Sequence, residues 1–64
     1  MFTVKIHEEG SGDVEAETFE VRYQANVAFK EKTLAYSNQK GRYEISLKED
    51  SGEDILSTKV GLGW

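Results

Sequence analysis

The chain contains no cysteine and no proline, and its only histidine is His7. The lack of cysteine excludes disulfide bonds and thiolate metal sites, and one histidine cannot form a histidine cluster, so we expect no metal ion and no cofactor. No run approaches the ~20 consecutive apolar residues of a membrane-spanning helix. The first apolar run is interrupted by Lys5 and His7, unlike that of a signal peptide. These absences predict a cytoplasmic protein with no membrane segment.

The length of 64 residues predicts a single domain, residues 1–64, with a small core. A chain of this size buries only about 60% of the surface that it exposes when unfolded, so its stability is marginal. Since disulfides and metal ions are not available to it, self-association is the remaining stabilising device, and a homodimer is one expectation.

The charges are unevenly distributed along the chain, and the net charge is −4. Residues 1–23 carry six acidic and two basic side chains, residues 24–48 carry two acidic and five basic, and residues 49–64 carry four acidic and one basic. An acidic total disfavours non-specific binding to nucleic acid. The middle of the chain alone is basic.

Alternation of apolar and polar residues predicts the first two strands. Phe2, Val4 and Ile6 alternate with polar residues, which is typical of a strand with one buried and one exposed face. The second strand is predicted over residues 14–23. Its apolar residues change phase midway, which predicts a β-bulge near residues 17 and 18.

The same alternation predicts two further strands near the end of the chain. The third covers residues 42–49, and a turn follows at residues 50–53. The fourth strand then continues to the last residue, with one apolar face formed by Leu56, Thr58, Val60, Leu62 and Trp64.

The segment between the two pairs of strands is predicted to be a helix over residues 24–38. Neither glycine nor proline occurs from Asp13 to Lys40, the segment is rich in alanine, lysine and leucine, and Gly41 can end a helix. Apolar residues at odd positions from Phe19 to Phe29 leave an alternative open, in which the chain continues as strand. That alternative gives an all-β, five-stranded small barrel or meander.

The predicted fold class is α+β with the order β-β-α-β-β, a four-stranded sheet with one helix on one face. The opposite face of the sheet is predicted to be polar, with interleaved charges of both signs. The predicted core comprises Phe2, Val4, Ile6, Phe19, Val21, Tyr43, Ile45, Leu47, Leu56, Val60 and Leu62 of the strands and Ala25, Phe29 and Tyr36 of the helix.

The helix carries apolar residues on two sides, and this indicates a binding surface. If the aromatic side packs on the sheet, Val27, Lys30, Glu31 and Leu34 face outward as a small apolar strip with charged neighbours. The leading hypothesis is therefore a non-enzymatic module that binds a protein partner through this strip or through an exposed strand edge. The sequence contains no recognisable nucleophile motif and no recognisable pair of catalytic carboxylates, so we do not expect an enzyme.

Two alternative functions remain open. Lys30, Lys32, Lys40 and Arg42 form the only basic concentration, and they would be the contacts of a small nucleic-acid-binding module. The acidic residues of both ends of the chain instead suggest a decoy that competes with DNA for a host protein, and neutralising Glu8, Glu9, Asp13 and Glu15 together would abolish its activity.

The organisation of the chain resembles that of small accessory proteins of bacteriophages and prophages, which often combine two hairpins with one helix. The residues that carry the resemblance are 22–29 (RYQANVAF), which enter the helix, and 41–47 (GRYEISL), which leave it. The resemblance names no functional residue. It implies a viral protein that binds and modulates a host protein in the host cytoplasm.

Overall fold

The computed structural model describes all residues from 1 to 64 and has four strands and one helix. The elements are β1 (Phe2–Glu8), β2 (Gly12–Phe19), α1 (Arg22–Ser37), β3 (Tyr43–Glu49) and β4 (Asp54–Val60). The predicted α+β class and the order β-β-α-β-β are confirmed. The all-β alternative is wrong, because the segment that it made a strand is helical from Arg22 to Ser37.

The sheet has the strand order β2-β1-β3-β4, and all neighbouring strands are antiparallel. The first strand in sequence is therefore central, and β2 and β4 form the edges. The chain leaves β2, runs as α1 over one face of the sheet and enters β3 on the far side of β1. α1 is neither long nor apolar enough to cross a bilayer.

The core lies between α1 and the two central strands. Two alanines of the helix, Ala25 and Ala28, are buried there and allow the helix backbone to lie close to the sheet. The buried apolar residues are Val4, Ile6, Ala25, Ala28, Tyr43, Ile45 and Leu47, and the partly buried residues packed against them are Phe2, Phe19, Phe29, Tyr36, Ile55 and Val60.

Three residues of the predicted core, Val21, Leu56 and Leu62, are exposed instead. Val21 is the N-cap of α1, because β2 ends at Phe19 and the helix begins earlier than predicted. Leu56 follows a β-bulge in edge strand β4, and the bulged residue Ile55 packs against the core. Leu62 lies beyond the end of β4, after a turn at Gly61.

The bulge in β2 lies at Val14 and not near residues 17 and 18. Ile6 pairs with Glu15 and His7 pairs with Asp13, so Val14 is the extra residue. As a result, Glu15, Glu17 and Phe19 share the face of β2 that is turned towards α1, because they stand opposite β1 residues of the core face. A carboxylate is thereby placed beneath the helix.

The face of the sheet away from α1, here called the open face, is polar as predicted. On β1 and β3, Lys5 stands opposite Ser46 and His7 stands opposite Glu44. On β3 and β4, Glu44 pairs with Lys59. Cross-strand neighbours of opposite charge stabilise such a face by a few tenths of a kcal/mol per pair.

Candidate interaction surface on helix α1

The side of α1 opposite the sheet presents large apolar side chains to solvent. Tyr23 is 74% exposed, Leu34 is 72% exposed and Val27 is 39% exposed. At 3.6 residues per turn these residues and Lys30 lie on one line along the helix, with spacings of four, three and four, and Glu31 lies beside it. We call Tyr23, Val27, Lys30, Glu31 and Leu34 the outer strip.

All four residues predicted for the protein-binding strip are exposed on α1 in the structure: Val27, Lys30, Glu31 and Leu34. Sequence reasoning missed Tyr23, because its alternation with Phe19 and Val21 assigned it to the second strand. Its spacing of four residues from Val27 is a helical spacing and was the available signal. Tyr23 lengthens the strip by one helical turn towards the N-terminus of α1.

Shallow depressions border the outer strip on both flanks. The larger, of 450 Å³, lies towards β2 and is lined by Glu17, Phe19, Tyr23, Gln24, Val27, Ala28 and Glu31. The other, of 330 Å³, is lined by Phe29, Lys30, Thr33 and Leu34. The strip is therefore a low ridge with an apolar recess on each side, and it has room for side chains of another molecule.

The charges of the outer strip have no partner within the chain. None of the ion pairs in the structure includes Lys30 or Glu31. The two side chains are adjacent in sequence and opposite in sign, and both are exposed. They are available to charges on a bound molecule.

A polar contact beneath α1 fixes which side of the helix faces outward. Lys32 Nζ donates a hydrogen bond of 2.5 Å to Glu15 Oε1, and the Tyr36 hydroxyl donates one of 3.3 Å to Glu15 Oε2. The Tyr36 ring also packs on Tyr43, with 4.9 Å between the ring centroids. These contacts hold the C-terminal half of α1 against β2 and β3, so the outer strip cannot rotate inward without breaking them.

The ionisation of this group follows from the same contacts. The hydrogen bond from Lys32 lowers the pKa of Glu15, and the hydrogen bond to Glu15 raises the pKa of Lys32. Burial, with the negative charge of Glu15, raises the pKa of Tyr36. The ion pair and the neutral phenol therefore persist together across the neutral pH range.

The residues of the nucleic-acid alternative do not form one patch. Lys32 is turned inward to Glu15, whereas Lys30 belongs to the outer strip. Arg42 Nε donates to the Gly63 carbonyl at 2.8 Å, and its guanidinium lies 3.7 Å from Glu9. Lys40 is exposed in the connection between α1 and β3. A strand of nucleic acid would meet these charges on different sides of the molecule.

Three of the four acidic residues whose neutralisation would test the decoy hypothesis are paired. Besides Glu15, Asp13 accepts a 3.0 Å hydrogen bond from His7 Nδ1 and lies 3.7 Å from Lys5 Nζ. The hydrogen bond with His7 lowers the pKa of Asp13. Glu9 is the partner of Arg42. These carboxylates belong to local pairs in the structure, and only Glu8 among the four has no ion pair.

Trp64 was predicted to extend the apolar face of the fourth strand, and this prediction is wrong. Its ring lies over Lys59 and Arg42, whose charged groups are 5.0 Å and 5.7 Å from the ring centroid. It borders a polar recess of 380 Å³ on the open face, lined by His7, Glu9, Arg42, Glu44, Lys59 and Trp64. The chain turns at Gly61, so the regular alternation of β4 does not continue to the last residue.

Two polar recesses lie outside the outer strip, on the open face of the sheet. No group of three or more histidine, aspartate or glutamate side chains is placed to hold a metal ion. The recesses of the open face are lined mainly by charged side chains, and one of them also contains the buried Ser46. In comparisons with known proteins, no family model, no curated protein and no solved structure matches this chain.

Proposed function

We propose that this chain is a non-enzymatic protein-interaction module whose contact surface is the outer strip of α1. The observation that supports the proposal is the second apolar side of the helix. One side, with Ala25 and Ala28, packs on the sheet, and the other presents Tyr23, Val27 and Leu34 to solvent. A surface helix of a protein that binds nothing is typically polar on its outer side.

The form of the strip favours a helix or an apolar groove as the bound element. Anchors that recur every three to four residues are typical of a helix that packs along another helix or into a groove. The resemblance to phage accessory proteins adds the proposal that the bound protein is a host component. A chain without cysteine is compatible with a site of action in the cytoplasm.

The double substitution Val27→Asp with Leu34→Asp tests the proposal. We expect binding to be lost and the fold to be kept, because both side chains are exposed and neither belongs to the core. Binding is measured by capture of proteins from lysate followed by mass spectrometry, and folding by thermal melting. Unchanged capture by the variant would contradict the proposal.

A matched control adds the same two charges outside the outer strip. Ala35→Asp with Gln39→Asp places them at exposed positions, one on α1 and one just after it. This control variant is expected to capture the same proteins as the unsubstituted chain. If both variants lose binding equally, added negative charge is the cause and the strip is not the contact surface.

Nucleic-acid binding through Lys30, Lys32, Lys40 and Arg42 stays a prediction, as does the acidic decoy. Salt separates both from the proposed module. Contacts with phosphate weaken steeply between low and physiological salt, and competition by a decoy that rests on surface charge weakens similarly. Contact through apolar side chains responds little to the same change.

A further inference from the structure

We infer that in the free protein, before any host partner binds, the outer strip is covered by a second copy of this chain, with the two α1 helices antiparallel. The inference rests on the proposed function, because it uses the same surface, and it adds the identity and direction of the molecule that covers it in the free protein. Three features of the chain support it: the spacing of the strip, its charges and the small size of the core.

The spacing of the outer strip is that of a helix-pairing seam. Residues separated by four, three and four positions occupy the a and d sites of a heptad repeat. The pair Tyr23 and Leu34 and the pair Val27 and Lys30 have the same midpoint, between residues 28 and 29. One two-fold axis at that midpoint therefore places Tyr23 against Leu34 of the second copy and Val27 against the aliphatic stem of its Lys30.

The charges of the strip complement themselves in this arrangement. Lys30 of one helix then lies about 6 Å along the axis from Glu31 of the other, within reach of a lysine side chain, and the symmetry makes this contact twice. In a parallel pair, Lys30 would instead face Lys30 of the other helix. Because neither residue has an ion pair within the chain, the antiparallel pair satisfies both.

The small core supplies the energetic reason for pairing. Only eight of the 64 residues are buried. Pairing through α1 would cover Tyr23 and Leu34, the two most exposed large apolar side chains of the helix, and would stack the layers as sheet, helix, helix and sheet. A helix of 16 residues is about 24 Å long, so the interface is small, and we expect a dissociation constant in the micromolar range.

Cysteine cross-linking tests the arrangement, and the chain has no cysteine of its own to interfere. Tyr23→Cys and Leu34→Cys are prepared separately, mixed and oxidised. We expect a cross-linked dimer from the mixture and little from either variant alone. In the antiparallel pair the same position in the two copies is about 16 Å apart along the axis, too far for a disulfide.

Sedimentation equilibrium with charge variants tests the pairing of Lys30 with Glu31. Glu31→Lys is expected to weaken dimerisation about five- to tenfold, because it converts two attractions into two repulsions. The reciprocal variant Lys30→Glu with Glu31→Lys is expected to restore it. Thermal melting checks that all variants are folded, and none of the substituted residues belongs to the core.

Each contrary outcome overturns a stated part of the inference. A chain that is monomeric at high micromolar concentration, yet captures another protein through the strip, overturns the second copy and leaves the proposed function standing. A monomer that captures nothing overturns both. A dimer in which Tyr23→Cys cross-links to itself, or in which no cysteine combination cross-links, overturns the antiparallel arrangement.

Discussion

Glu15 shows how one residue can decide the orientation of a helix. The bulge at Val14 turns its carboxylate to the side of the sheet that α1 covers, where apolar residues would be expected. Lys32 and Tyr36 contact it from the helix, so that a charged pair borders the core. Since the side chains of Glu15 and Lys32 are 38% and 29% exposed, water still screens this pair.

Glu15→Gln tests the contribution of this pair as a function of pH. The lowered pKa of Glu15 gives stability that is present above its ordinary pKa of 4.5 and is lost as pH falls through the folded-state pKa. The raised pKa of Lys32 gives stability that is present below 10.5 and is lost as pH rises through the folded-state pKa.

Urea denaturation from pH 3 to pH 11 measures the difference between the two proteins. We expect the variant to be less stable by about 0.5–1 kcal/mol near neutral pH, and the difference to shrink at both extremes. Glu20→Gln is the matched control, because Glu20 is exposed and has no ion pair. A difference that does not change with pH would show that the charges are not responsible.

At the scale of elements, α1 approaches the sheet closely because its innermost residues are small. Ala25 is fully buried, and Ala28 is nearly so. The larger inner residues, Phe29 and Tyr36, reach over the edges of this contact and are only partly buried. The two alanines therefore set the distance between the helix and the central strands.

Ala25→Leu tests this close contact. The larger side chain has no free volume between α1 and the sheet, and we expect it to destabilise the fold by about 1–3 kcal/mol through overpacking. Ala35→Leu is the matched control, because Ala35 is exposed on the same helix and leucine is a good helix former. Chemical denaturation of both variants gives the comparison, and equal stabilities would contradict the proposed packing.

The sequence predicts elements well where their pattern is regular and poorly where they begin, end or bulge. β1 and β3 alternate cleanly because one face of each is buried and the other is exposed. Val21 and Tyr23 continue the alternation of Phe19, although a helix begins between them at Arg22. The spacing of Val21 and Tyr23 fits the end of a strand and the first turn of a helix equally well. Only the packing of the folded chain decides which of the two structures forms.

The residues of the outer strip could be predicted from the sequence only in part, because some of them depend on where an element begins. The seven-residue spacing of Val27 and Leu34 is visible in the sequence, because it depends only on helical geometry. The addition of Tyr23 depends on where the helix starts. The placement of Glu15 depends on the register of β2 against β1, which alternation within one strand does not reveal.

At the scale of the whole molecule, residues 62–63 are hydrogen-bonded to the connection between α1 and β3. The Leu62 amide donates to the Gln39 carbonyl, and the Gly63 amide donates to the Gly41 carbonyl, both at 2.9 Å. Arg42 binds the Gly63 carbonyl. The indole of Trp64 donates to the Val60 carbonyl at 2.8 Å. These bonds join the end of β4 to the entrance of β3.

Gly61→Ala tests the closeness of this junction. Gly61 has a φ of +110°, and an added Cβ would lie 2.4 Å from the Gly41 carbonyl oxygen. Gly52 also has a positive φ, of +88°, but a Cβ there would meet nothing within 4 Å. We expect Gly52→Ala to cost about 1 kcal/mol through backbone strain and Gly61→Ala to cost more, because a steric clash is added.

Denaturant unfolding measures the global stability of both variants, and the fluorescence of Trp64 reports on the junction itself, since it is the only tryptophan. A native-state change in this fluorescence is expected for Gly61→Ala only. Equal effects of the two substitutions on stability and fluorescence would contradict the tight junction.

The central position of β1 has a consequence for how the chain folds. β1 pairs on one side with β2, after a short turn, but on the other side with β3, whose residues follow only after the whole of α1. During synthesis, one edge of β1 therefore stays unpaired in the β1–β2 hairpin until β3 has left the ribosome. Pairing over such a sequence separation slows folding. Because a helix forms faster than such a pairing, we expect α1 to form before β3 pairs and to cover the apolar face of the β1–β2 hairpin.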